Sequence, residues 1–390
     1  MAWYSLFNKQ EEPKIDMVVD TKYQNFSTPF GQIGKGNLSL PYVRAYSPAE
    51  PYIRFGTDNL YPQLINQMYQ QSPLNGAIIN FKRNAVIGGG WEINSMAESA
   101  TDKVKEYTFI KKNKLKKLMH QATLDLIMHG RITIIVNEDE KGNVTFKRVG
   151  PETVRNNEDS TIYTISNDWS RQIDLKQYRA YKPGIKGESL FEYAPSKGEA
   201  GQSIYSIPQY CSALNSAFLN GEIPFLQKSN LINSIFPSLM LTMAKKFASQ
   251  EEAEQFRNTI EKAKGPQEAG RILAFVTNDK EQLPEITPIP TNNNDKLFTE
   301  TIDEVKASIC TAHNIDMLIM GLRTPGKLGS GAELPQAYAI FEKNVVLPLR
   351  EQMEEFGDEL LSIGNIAANI KLNSYKIIDN VVVEQTNTSI

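Results

Sequence analysis

The sequence is poor in what most functional classes require. Of its 390 residues two are cysteines, Cys211 and Cys310. Two thiols so far apart form neither a disulfide framework nor a metal-binding spacing, and a reducing compartment is the simpler reading. Histidine is almost as scarce: His120, His129 and His313 are all there are. His129 follows His120 by nine residues, so the two do not share the i, i+4 face that a pair of ligands on one helix needs. All three read as helix-surface or core residues, and no H-E-x-x-H or G-x-S-x-G is present. No stretch approaches ~18 uninterrupted apolar residues. Met1 to Gln10 lack a continuous apolar core, so the expectation is a soluble intracellular product without a membrane span. Charge of one sign is missing too: 42 basic and 45 acidic residues leave a formal −3. That balance excludes a tight, sequence-independent nucleic-acid binder with a basic face, and leaves a weak or sliding DNA surface open. No constellation for catalysis is present, and neither cofactor nor metal is expected.

What is present is an ordinary folded composition, 41% hydrophobic and 22% charged, long enough for two or three structural regions at a prior of ~150 residues each. The most informative stretch runs from His313 to Leu361. A short apolar run, Asp316 to Met320, leads into a glycine-rich loop from Gly321 to Gly331, and a long amphipathic segment follows. Ser330 and Glu333 have the spacing of a capping box, in which hydroxyl and carboxylate satisfy backbone N–H groups at a helix start. Leu334, Tyr338, Phe341, Val345, Leu349, Met353, Phe356 and Leu360 recur at steps of three and four, one apolar stripe on one helical face. Pro348 falls inside the stripe, and because it removes an i to i−4 bond it predicts a kink there.

Residues 1–50 read as an irregular arm. Gly56 to Asn59 offers a cap before a short helix carrying Leu60, Leu64, Ile65 and Met68. A second helix follows Ser72-Pro73 and stops at Gly88-Gly89-Gly90, ahead of the strand Trp91-Glu92-Ile93. One helix is expected across 101–129, ended by Gly130. The β-branched run Ile132 to Val136, a turn at Asp139 to Asn143 and a returning strand Val144 to Phe146 make a hairpin. Further strands are expected at Ile162 to Ile165 and Gln177 to Tyr181. Helix returns from Pro208 to Asn233, with Pro224 marking a break or restart. Residues 236–290 then read as strand, helix, strand, the helix opened by a Ser249/Glu252 capping box. A second helix after Asn292 to Asp295 carries Phe298, Ile302, Val305, Ile309 and Ala312 on one face. After about Asn365 only a short tail is expected. Acidic pairs such as Glu251-Glu252 and Glu354-Glu355 read as solvated helix faces.

One motif tempts toward an enzyme. Gly321 to Leu328 matches G-x-x-x-x-G-K but ends in Leu328, where a phosphate-binding loop needs a hydroxyl to ligate Mg²⁺. Pro325 also removes one of the cradling N–H groups. A flexible loop is the better reading, and nucleotide hydrolysis the weaker alternative.

The order of these elements resembles the portal proteins of tailed bacteriophages, nearest to the family of phages with HK97-type capsids. The resemblance rests on Gly56 to Pro62 with Ser72-Pro73, on the hairpin ending in Val149 to Arg155, and on Ile207-Pro208 through Phe236-Pro237-Ser238. It rests further on Ala312 to Asp316 leading to Leu318 to Gly321, on Gly329 to Glu333, and on Phe341 with Val346-Leu347-Pro348-Leu349. It spans about residues 50–362. It implies an α+β, ring-forming portal fold: an N-terminal arm (1–50), a wing (51–205), a first stem helix region (206–235), a small α/β clip (236–290), a second stem helix (291–320), a tunnel loop (321–331), a long kinked helix (332–364) and a short tail or reduced crown (365–390).

The resemblance also implies a homo-oligomeric ring, expected to be a dodecamer, at one vertex of the virion. Double-stranded DNA would pass through it, and it would dock the terminase large subunit, the head–tail connector and the major capsid protein after assembly in the host cytoplasm. Gly321, Arg323, Lys327, Gly329, Ser330 and Gly331 would form the tunnel loop. Lys296, Glu300 and Glu304 would line the channel, and Glu251, Glu254, Arg257 and Lys262 would face the terminase. Arg323 and Lys327 read equally well as solvated loop charges. Another ring-forming head–tail connector or structural virion protein is the alternative outside this family.

Overall fold

The computed structural model describes residues 50–56, 58–199, 204–233, 239–244, 251, 254–255, 272–277, 294–322 and 333–374. Two short helices open it, α1 (Tyr61–Gln71) and α2 (Pro73–Ile87), with Pro62 and Pro73 in their first turns, where the missing N–H costs no hydrogen bond. The expected cap at Gly56 to Asn59 is not formed. Asp58 accepts from the Leu60 N–H, while Asn59 turns its side chain toward the strands that follow. The N-terminus of α2 is instead satisfied from a distance: Asn220 Oδ1 accepts from the Leu74 N–H and from the Ser72 hydroxyl.

Strand β1 (Trp91–Ser95) follows the glycine turn as expected, with Gly90 at φ +80°. The single helix expected over 101–129 is two, α3 (Ala100–Lys112) and α4 (Leu115–His129). Lys114 between them is left-handed at φ +48°, and the buried Asn113 holds the corner by donating to the Phe109 carbonyl and accepting from the Phe146 N–H. Periodicity survives such a corner because both helices lay apolar faces on one core. Gly130, at φ +69°, ends α4 as expected.

The expected hairpin is β2 (Ile132–Glu138) against β3 (Val144–Val149), its turn closed by Asp139 Oδ1 accepting from the Lys141 and Asn143 N–H groups. Strand β7 (Gly187–Tyr193) pairs antiparallel on the other side of β2. A second sheet runs β4 (Val154–Asn156), β5 (Ile162–Ile165), β6 (Lys176–Arg179), all antiparallel. Helix α5 (Leu214–Asn233) runs through Pro224 without a break. Strands β8 (Leu239–Ala244) and β9 (Ile272–Thr277) pair in parallel. A parallel pair needs a long crossover between its strands, which fits a strand–helix–strand unit. Helix α6 (Asn294–Ala312) packs beside α5, where Ser216 Oγ lies 2.9 Å from Ser308 Oγ.

The long segment after the loop is α7 (Glu333–Phe341), a π-helical turn (Glu342–Val346) and α8 (Leu347–Ile363). Pro348 thus stands in the first turn of α8, and the wide π turn just before it absorbs the missing hydrogen bond. Phe341, Val345, Leu349, Met353, Phe356 and Leu360 are buried as the stripe predicts, whereas Leu334 is largely exposed.

The tail contains an element that the sequence reading left out. Strand β10 (Ala368–Leu372) pairs antiparallel with β1, Trp91 opposite Leu372 and Ser95 opposite Ala368. Gly89 permits the approach: a Cβ there would stand 2.4 Å from the Asn373 carbonyl. The other edge of β10 is closed by α8, where Glu354 accepts from the Leu372 N–H and Asp358 from the Ile370 N–H, each at 2.7 Å. Glu354 is therefore a partner of an edge strand and not simply a solvated acid. One core unites α1, α2, α4, β2, α8 and β10.

Candidate functional site

The approach to the 321–331 loop is built from hydrogen bonds that leave little freedom. At the end of α6 the His313 N–H bonds the Ile309 carbonyl, Asn314 turns left-handed at φ +53°, and the Ile315 N–H reaches back to the Cys310 carbonyl. That wrap closes a helix C-terminus and reverses the chain. Asp316 Oδ1 then accepts from the Leu318 N–H at 2.8 Å, and a tight run of turns carries Met317, Ile319, Met320 and Leu322 onto the core. Gly321, exposed and at φ +72°, is the last turn residue before the loop. Positive φ is open to glycine at no steric cost, so the residue type at this exit follows from the backbone.

His313 anchors that approach. Its ring stacks on Tyr210 at 4.5 Å between centroids, and its Nε2 lies 2.8 Å from Asn75 Oδ1. Burial, with Lys82 nearby, holds its pKa well below the usual imidazole range, so it is a neutral structural group. His129 is likewise buried, 2.9 Å from Asn66 Oδ1, its pKa pushed down to about 3 by burial and by Arg131, Arg148 and Arg155. His120 is exposed on α4. Cys310 is buried, which pushes its thiol up to about 11, and Cys211 is raised for the same reason. Among the described residues no group of three potential ligands converges as a metal site would require.

On the far side of the loop, Glu342 in the π turn pairs with Arg350 at 2.5 Å. Arg350 also donates to the Ala85 and Val86 carbonyls at the end of α2. A buried guanidinium is well placed at the negative end of a helix, and here it locks α8 to α2. The segments on both sides of the loop are thereby tied to α2. Arg323, Lys327, Gly329, Ser330 and Gly331 lie outside the described residues, as does the Ser330 half of the expected capping box.

The other candidate positions fall on two helical surfaces. Glu300 and Glu304 are exposed one turn apart on α6, and Lys296 precedes Glu300 by one further turn on the same helix. Glu251 and Glu254 are exposed in helical conformation between β8 and β9, whereas Arg257 and Lys262 lie outside the described residues.

A group the sequence reading passed over holds the first strands together. Arg131, 1% exposed, bonds Glu192, Asn156 and the Pro151 and Val154 carbonyls, and lies over the rings of Phe55 and Tyr205. Burial alone would raise the Glu192 carboxyl, but Arg131 and Lys197 hold it below the ordinary value. The available signal was an arginine opening an otherwise apolar strand run, Arg131 before Ile132.

No protein-family model matches the chain. Its fold is that of a chain from the neck of a gene transfer agent particle: the neck of an empty particle matches with a TM-score of 0.54 and 13% identity over 82% of this chain and 84% of that one. The virion of the native gene transfer agent gives the same values. This α+β architecture with its paired helices and small parallel unit is therefore the portal-type fold that the sequence resembles. In sequence the chain is 23% identical over 171 residues to the probable portal protein of Escherichia phage P2. That match covers 43% of this chain and 49% of the relative, so it spans about half of the relative's length. Fold and sequence agree: the chain is similar to the phage portal proteins.

Proposed function

We propose that this chain is a portal protein, identical copies of which close into a ring at one vertex of a capsid and pass double-stranded DNA during packaging and ejection. The reading is carried by the fold shared over 82% of the chain with a component of a particle neck. The similarity to a protein named as a probable portal protein points the same way. In this reading the ring has twelve copies, residues 51–205 form the wing, α5 and α6 the stem, 236–290 the clip and 321–331 the tunnel loop.

The chemistry of the described surfaces suits a conduit. DNA in a channel must slide, and each phosphate held by a fixed cation resists movement. The exposed Glu300 and Glu304 on α6 repel phosphate. Arg323 and Lys327, on the loop whose ends are tied down at His313 and Arg350, would touch the backbone transiently and without reading sequence. The clip, with Glu251, Glu254, Arg257 and Lys262, would dock the terminase large subunit and then the head–tail connector, and the major capsid protein would surround the ring in the virion. The chain has no catalytic role in this scheme. It positions DNA, and the motor supplies the work.

Negative-stain imaging of the purified protein with mass determination tests the reading. Rings with a central hole of ~20 Å or more, wide enough for a duplex, are expected. A small closed oligomer without a pore would overturn it in favour of another structural virion protein.

A further inference from the structure

Among the described residues four cationic side chains are buried in the core, and three of them are matched. Arg131, Arg155 and Arg350 each bond two or more oxygens, as buried guanidinium groups must. Lys82 on α2 is the exception. It is 3% exposed and has no hydrogen-bond or ion-pair partner among the described residues. A largely buried lysine with no protein acceptor is disfavoured in its charged form, so the recess onto which its ammonium opens matters.

The residue lines a small cavity between α2, α4, α8 and residues 195, 196, 207, 209 and 210. The walls are apolar, from Leu126, Ile127, Leu349 and the Tyr210 ring. Ser196, Gln209 and Gln352 stand on the same lining and supply a hydroxyl and two amides. One cation with several neutral donors around a recess is the composition of an oxyanion site, in which charge gives affinity and the donors fix orientation. No acidic side chain is on this lining to compete for the ammonium. Burial with no partner pushes the Lys82 ammonium down to about 7, and a bound anion would reverse that shift.

We propose that this cavity binds a small oxyanion, a carboxylate or phosphate group, with Lys82 as its charged ligand and Ser196, Gln209 and Gln352 as neutral donors. Two sources have this chemistry: a free ion, and the carboxylate side chain of a second copy of the chain.

The test is thermal unfolding of the wild type and of Lys82→Met at pH 7, in sodium phosphate and in sodium chloride of matched ionic strength. A free-ion site raises the wild-type Tm in phosphate by roughly 2 °C or more and leaves the variant unmoved, because a ligand stabilises only the state that binds it. In chloride the variant should melt no lower than the wild type, since it loses no partner. If a second copy supplies the carboxylate, phosphate shifts neither protein, but Lys82→Met self-associates at least tenfold more weakly by sedimentation. Equal phosphate response and equal self-association in the two proteins would overturn the proposal. Should the variant fail to fold, acylation of Lys82 in the wild type, followed by mass spectrometry, replaces it. Phosphate or self-association must then slow labelling several-fold, and unchanged labelling under both conditions overturns the site.

Discussion

The side-chain oxygen of Asn59 accepts from Arg155 Nε at 2.6 Å and from the backbone N–H of Phe55 at 3.0 Å, joining the segment before α1 to strand β4. Arg155 is fully buried, donates also to the Asn59 carbonyl, and lies over the Trp169 ring. Asn59 itself sits at φ +61°, a region that asparagine enters more readily than most residues. The Gly56 to Pro62 motif is thus explained by what it holds: one turn supplies the acceptors for a guanidinium that has no access to water.

Asn59→Ala should therefore destabilise the chain by about 2–4 kcal/mol in urea unfolding, from the stranded charge and the left-handed strain. Asn59→Asp keeps the acceptor, tolerates the backbone, and removes the amide nitrogen, which is buried without a partner. It should be at least as stable as the wild type at neutral pH. If Ala and Asp cost the same, the oxygen at this position is not what holds Arg155.

Strand β10 depends on two carboxylates of α8. Asp358→Ala and Glu354→Ala should each raise amide exchange at Ile370 and Leu372 by about tenfold or more, since a lost bond to a charged acceptor is worth roughly 1.5–3 kcal/mol. Gly89→Ala should do so more severely. Its Cβ would meet the Asn373 and Ser374 carbonyls, which are backbone and cannot step aside. Gly357→Ala meets a side chain and no backbone, with Ile370 Cδ1 at 2.7 Å and its Cβ and Cγ1 at 3.3 Å, and should be milder than Gly89→Ala. Exchange unchanged in the carboxylate variants would mean that pairing with β1 alone secures the strand.

How much of this was legible in the sequence differs by element. The hairpin, the strands β8 and β9 and the helices α5 and α6 are local patterns, and each lies where its periodicity and turn residues place it. The corner at Lys114 was hidden because α3 and α4 face one core, so the 3.6-residue period runs on through a left-handed residue. Strand β10 did carry a signal, the alternation of Ala368, Ile370 and Leu372 with Asn369 and Lys371, but its partner β1 lies far earlier in the chain. A two-stranded pairing of that kind has no local signature. That Pro348 would disturb the long helix was readable, whereas the π turn just before it follows from packing around Phe341 and Val346. The loop candidates came from family resemblance, and Lys82 gave no sign at all, because a lysine inside an amphipathic helix looks solvated until the neighbouring elements are in place.

The loop's two cations offer a functional prediction. If the loop lines a DNA channel as proposed, replacing Arg323 and Lys327 with Glu should lower DNA packaging by an order of magnitude or more while rings still assemble, because the change would reverse transient contacts to phosphate and touches neither anchor at His313 or Arg350. Packaging yield and ring formation are measured on the same preparation. Failure of the rings to form would make the loop a structural element, and normal packaging would make its charges simple solvated groups.

Three buried bases contribute to the pH profile of stability, and Asp125, whose carboxyl burial raises to about 7, opposes the histidines between about pH 4 and 7. His129 and His313 are neutral in the fold, with pKa values below that of a free imidazole, while the unfolded chain takes up protons below about 6.5. The unfolded state then binds more protons, so their contribution is complete above pH 6.5 and is lost as pH falls. Each group adds a slope of up to about 1.4 kcal/mol per pH unit. Lys82 acts in another window. Its pKa is lowered to about 7 in the fold, against about 10.4 when unfolded, so stability should climb as pH rises from 7 towards 10. His313 and Lys82 face each other, so protonating either one disfavours charging the other. Urea unfolding at intervals between pH 4.5 and 9.5, with Asp125→Asn as the background that removes the opposing carboxyl, should give a curve that rises through both limbs. Lys82→Met should flatten the upper limb alone, and His129→Gln with His313→Gln the lower. An upper limb that survives in Lys82→Met would show that groups other than Lys82 produce it.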